Sequence, residues 1–97
     1  MKLKTTLISA GPLTPRESQV LVHLCTGMPR QAIADTLHRS YGAVSKHIES
    51  IAAKLDAHGT AQIVAKAVAA KLVEITQVRA MLDTALWRGK QAYVFVA

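Results

Sequence analysis

The stretch RQAIADTLHRSYGAVSKHIESIAAKL, residues 30–55, limits the fold more than any other part of the chain. Ile33, Ala34 and Leu37 give its first part an apolar face at helical spacing. Val44, Ile48, Ile51 and Leu55 do the same for the second part, at intervals of four, three and four residues. His38-Arg39-Ser40 interrupts the two patterns, and the Ser40 hydroxyl is placed to accept a hydrogen bond from an N–H of the next turn. A short helix, a turn and a longer helix buried along one side predict a helix-turn-helix. The outer face of its second helix is then presented for reading a groove.

The 97 residues suffice for one domain, and the 51% hydrophobic content supplies a small core. Few aromatics and frequent alanine favour helix over sheet. The net charge of +6 suits an anionic partner such as nucleic acid. A single cysteine, Cys25, excludes an internal disulfide and makes a reducing cytoplasm the expected compartment. The opening MKLKTTLISAG imitates a secretory signal, but its apolar stretch is short and is broken by threonines, Gly11 and Pro12. No apolar run approaches the ~20 residues that span a bilayer, so no membrane partner is expected.

Residues 1–9 alternate imperfectly and predict a short strand or arm, punctuated by Gly11-Pro12. Thr14-Pro15-Arg16-Glu17 predicts a helix start. Thr14 caps it, Pro15 suits the first helical position, and Glu17 reaches back to the cap as a capping box. Val20, Leu21, Leu24 and Cys25 form one apolar stripe, which assigns Cys25 to the core. Gly27 ends this helix, and Met28-Pro29 restarts the chain. Ala57-His58-Gly59 connects to a fourth helix, expected from Ala61 to about Ile75 and capped by Thr60.

LTPRE at 13–17, the stripe through Leu24, Gly27, QAIADTL at 31–37 and Ser40 resemble the LuxR/FixJ-type (GerE-like) helix-turn-helix. Val44, His47, Ile48, Ile51, Lys54-Leu55 and AQIVAKAV at 61–68 continue the resemblance, which covers roughly residues 13–73. It implies a mainly α, four-helix DNA-binding domain whose third helix enters the major groove and whose fourth commonly makes a dimer. The chain departs from the family at several positions. Ala43-Val44-Ser45 stands where Thr-Val-Lys is usual, Glu49 occupies a frequently basic position, Thr60 replaces a common arginine, and Met28-Pro29 replaces small polar residues. Charge follows the same trend. Residues 17–70 hold five Lys and Arg against four Asp and Glu, so they carry only +1, and the other +5 lies towards the two ends. Phosphate contacts supply most non-specific affinity, so such a core needs help from the terminal arm, from dimerisation or from a partner.

On this reading the DNA-facing residues are Arg39, Ser40, Tyr41, Ser45, Lys46, Glu49 and Lys54. Lys46 lies opposite the apolar stripe. Ser45 and Tyr41 offer hydrogen bonds to bases or phosphates. The dimer face is expected on Ile63, Val64, Ala67 and Val68 of the fourth helix. His47 reads as a packed histidine. With His23, His38, His58 and Cys25 it shows no metal-ligand spacing, and no nucleophile–base pair or glycine-rich phosphate loop is present. No catalytic residue, metal or cofactor is therefore expected. Gly42 sits early in the recognition helix, where it permits close backbone approach.

Residues 76–97 fall outside the resemblance. Thr76 is placed to cap a further helix carrying Val78, Met81, Leu82, Ala85 and Leu86, with Trp87 near its end and Gly89 as its stop. AYVFVA at 92–97 is strongly β-prone and is expected to pair with residues 2–8, in the same chain or across a dimer. The expected organisation is an arm or strand at 1–12, a helix-turn-helix domain at 13–75 and an extension at 76–97. It stands alone, without a receiver or ligand-binding domain, so abundance, oligomerisation or a protein partner would regulate it. Two functions remain open. One is a transcriptional regulator binding double-stranded DNA, as a homodimer on a palindromic site. The other is an interaction module that binds another transcriptional regulator without binding DNA itself.

Overall fold

The computed structural model describes residues 2–78. In chain order the elements are β1 (Lys2–Leu7), α1 (Pro15–Cys25), α2 (Arg30–Leu37), α3 (Tyr41–Leu55), α4 (Thr60–Ala69) and β2 (Val73–Val78). The described residues are thus mainly helical, with one two-stranded sheet.

Local chemistry sets most helix ends. The Glu17 N–H donates to Thr14 Oγ1 at 3.2 Å, and the Thr14 N–H donates to Glu17 Oε1 at 2.9 Å. This is the complete capping box that the sequence predicts, and it satisfies two backbone donors that a helix start leaves open. Ser40 caps α3 by accepting from the Ala43 N–H at 3.1 Å. His38 and Asp56 end α2 and α3 in the left-handed conformation, with φ of 53° and 52°. These are residue types that tolerate this region better than most. The turn between α2 and α3 is therefore only His38 to Ser40.

The core draws on every helix. Val20 and Leu21 of α1, Ile33 of α2, Val44 and Ile51 of α3 and Ile63 of α4 are all fully buried. Each such side chain contributes roughly 1.5–3 kcal/mol of burial free energy, so α2 and α3 are held by a shared interior as well as by their turn. Cys25 lies in this core, 4% exposed, and burial pushes its thiol up to about 11.

The end of the fourth helix corrects the sequence reading. α4 stops at Ala69, not near Ile75. Lys71 turns left-handed at φ 59°, and after Leu72 the six residues Val73–Val78 form β2. Its residues alternate, with Val73 buried and Ile75 half-buried between exposed Glu74 and Thr76. Thr76 therefore lies within a strand and caps no helix. Gly59, not Thr60, occupies the N-cap of α4, without a side-chain cap bond. The partner of β1 among the described residues is β2, antiparallel in the register Lys2↔Val78 to Leu7↔Val73, where the sequence reading names the segment 92–97. That segment and the helix expected after Thr76 lie outside the described residues, apart from positions 76–78, which belong to β2.

The sheet is tied to the helices at one corner. The N–H groups of Ile8 and Ser9 both donate to the Leu72 carbonyl, at 2.8 and 3.1 Å. Gly11 has φ +53°, and a Cβ there would lie 2.7 Å from Leu72 Cδ2, so both its backbone and its surroundings favour glycine. Among the described residues, no helix is long and apolar enough to cross a membrane.

Candidate nucleic-acid interface

α3 is turned by the rows of residues it buries. Val44, Ile48 and Ile51 face inward. At about 100° per residue, Gly42, Lys46, Glu49 and Ala53 then point away from the core, and all four are exposed. Ser50 and Lys54 lie on one flank, and Ser45 and Ala52 on the other.

Each flank is fastened to a neighbouring helix. On the first, Glu17 of α1 is 4% exposed and accepts from Lys54 Nζ at 2.6 Å and from the Ser50 hydroxyl. Burial by itself would raise the Glu17 carboxyl. The bonds from Lys54, Ser50 and the Thr14 backbone, with the Lys54 charge, outweigh it and lower the pKa from 4.5 to about 2. Glu17 thus joins the start of α1 to the second half of α3. On the other flank, Arg30 Nη1 of α2 donates to Ser45 Oγ at 3.3 Å. The two contacts fix the rotation of α3 about its own axis.

The expected contact residues accordingly separate into two groups. Arg39, Tyr41, Lys46 and Glu49 are exposed, and their side chains make no hydrogen bond or ion pair among the described residues. Ser40, Ser45 and Lys54 are engaged within the fold, by the α3 cap, by Arg30 and by Glu17 respectively. Sequence reasoning placed Glu17 only in the capping box and gave Arg30 no role. The available signal was the i, i+4 spacing of Ser50 and Lys54, which sets both on one flank facing another helix.

The residues expected to form a dimer face also separate. Ile63 and Ala67 are enclosed in the protein's own core, at 1% and 0% exposure. They form one i, i+4 row, and the adjacent row of Val64 and Val68 is more accessible. Val64 packs partly against the core, and Val68 is 45% exposed. Ala61 and Ala65 are exposed beside them.

The histidines and Cys25 do not converge. No group of three or more His, Cys, Asp or Glu residues suited to a metal occurs among the described residues.

A short α2, a three-residue turn and a longer α3 with its outer face clear, backed by α1 and α4, constitute a helix-turn-helix domain. Over residues 11–67 the sequence matches the family described as bacterial regulatory proteins, luxR family. The match covers more than half of the chain, and the chain belongs to this family, whose domain is a DNA-binding regulatory one and not an enzyme. No curated protein matches the chain.

Proposed function

We propose that the protein is a transcriptional regulator that binds double-stranded DNA, reading the major groove with α3 and acting in the cytoplasm as a homodimer on a palindromic site. The observation that carries this reading is the outer face of α3. It bears Gly42 and Lys46, is flanked at its N-terminal end by Arg39 and Tyr41, and is covered by no other described element. Lys46 and Arg39 supply the cations, Tyr41 offers a hydroxyl and a ring, and Gly42 lets the backbone come close. Ser40 and Ser45 border this face while serving the fold, and Lys54 is a positioning residue for α3. α4 supplies the dimer contact through Val64 and Val68. Two recognition helices would then enter successive major grooves about 34 Å apart.

A second reading rests on a specific observation. Lys46 and Lys54 are the only basic residues of α3 other than His47, and Lys54 is paired with Glu17. The outer face thus sets one lysine, Lys46, beside one carboxylate, Glu49. That balance suits a protein surface better than a phosphate backbone, and it supports an interaction module that modulates another transcriptional regulator.

The purified protein, incubated with a random-duplex DNA pool across a salt series while its mass in solution is measured, tests the first reading. Enrichment of a palindrome by a dimer, with affinity falling steeply as salt rises, is the expected result. Failure to enrich any sequence at low salt overturns it in favour of the second. Glu49→Lys separates the two independently. On DNA, affinity rises and the salt slope steepens by about one. On a protein partner, that binding weakens instead.

A further inference from the structure

Arg30 opens α2 and reaches α3. It precedes the buried Ile33 and Ala34 by three and four residues, so it continues the inward row of α2 at its N-terminal end. The residue is half-buried there, and its Nη1 donates to Ser45 Oγ of α3 at 3.3 Å. Ser45 stands in one i, i+4 row with Tyr41 before it and Glu49 after it, and both of these are exposed. The contact therefore holds the guanidinium at the edge of the outer face of α3.

The hydrogen bond orients this guanidinium without neutralising it. Ser45 Oγ is an uncharged acceptor, and of the five N–H donors of an arginine the described residues engage this one. The carboxylates nearby are committed elsewhere or stand apart. Glu17 is paired with Lys54, Asp35 accepts from Gln31, and Glu49 makes no ion pair among the described residues. We propose that Arg30 is a phosphate-contacting residue of the DNA complex and that Ser45 is its positioning residue. The proposal rests on the reading of α3 as the helix that enters the major groove. With α3 in the groove, the helix before it crosses the sugar–phosphate backbone, and Arg30 is the only Lys or Arg of α2. Its planar fork suits a phosphate, which two of its donors can engage together. It brings to Lys46 and Arg39 a further cation that comes from outside α3 and its turn.

Binding of the full chain to a random-sequence duplex across a salt series tests this, with Lys46→Gln as the reference variant. A cation that meets a phosphate displaces counterions, so its loss changes the slope of log affinity against log salt as well as the affinity. Arg30→Gln is expected to weaken binding several-fold at low salt and to reduce the slope by about one per protomer. Arg30→Lys is expected to restore the slope but only part of the affinity, because the charge returns without the fork. Ser45→Ala is expected to weaken binding less than Arg30→Gln does, and to add nothing when combined with it. All three variants are expected to keep the helical circular dichroism of the unaltered chain, since neither residue belongs to the buried core. An unchanged slope in Arg30→Gln, with Lys46→Gln reducing it, would overturn the role of Arg30 and leave α3 as the reading helix. A Ser45→Ala effect that persists in full beside Arg30→Gln would overturn the positioning role of Ser45. Absence of binding by the unaltered chain at low salt would overturn the reading of α3, and the proposal with it.

Discussion

Glu17 shows how one side chain can serve two levels of structure. It closes the capping box of α1 and receives Lys54 and Ser50 of α3. Its carboxyl is held at about 2, below the ordinary 4.5. A pKa depressed on folding means that the charged form stabilises the native state above the unfolded value. That stability is lost as pH falls from about 4.5 through about 2. Glu17→Gln keeps an acceptor for the Thr14 N–H and a partner for Ser50 but removes the charge. It is expected to cost about 1–3 kcal/mol near neutral pH and to flatten the dependence on pH between about 4.5 and 2. Chemical denaturation across that range checks both effects. An unchanged acid slope in the variant would show that other carboxylates dominate it.

At the scale of elements, α3 carries a cost that its packing does not explain. A Cβ on Gly42 would meet nothing within 4 Å, and glycine inside a helix is less favourable than alanine by roughly 0.5–1 kcal/mol. Gly42→Ala is therefore expected to raise stability by about that amount in thermal unfolding. If the α3 backbone approaches DNA there, the same variant binds more weakly despite being more stable; equal or tighter binding would remove close approach as the reason for the glycine. The helices themselves were legible because each signals twice. Thr14 and Ser40 mark starts, and the apolar rows through Val20 and Leu21, and through Val44, Ile48 and Ile51, mark buried faces. The end of α4 was not legible. Val68, Leu72 and Val73 fit a helical period, and neither glycine nor proline stands between Ala69 and Val73 to break it. The turn is made by Lys71 in a left-handed conformation. The alternation of Val73 and Ile75 with Glu74 and Thr76 was present but short, so β2 was not recognised as a partner of β1. In the candidate interface, the outward placement of Lys46 and Glu49 followed from periodicity. The capture of Lys54 did not, because it depends on where α1 lies.

For the molecule as a whole, the proposed dimer turns on α4. Its Ile63 and Ala67 row closes the core, so the proposed contact through α4 has only the neighbouring row and its flanking alanines to use. Val68 is the more exposed of its two valines, at 45%. Replacing it with a charge costs the isolated protomer little, within about 0.5 kcal/mol for a surface substitution. It would, however, set two like charges near the axis of a symmetric pair, because a two-fold interface brings the same patch of each subunit together. Val68→Asp is therefore expected to retain its helical circular dichroism and to halve the mass measured by sedimentation. Its affinity for a palindrome should fall towards that for a single half-site, since only the dimer engages two grooves at once. A variant that remains dimeric and keeps its preference for the palindrome would move the dimer contact off α4, leaving the reading face of α3 intact while requiring another surface to set the spacing of the two half-sites.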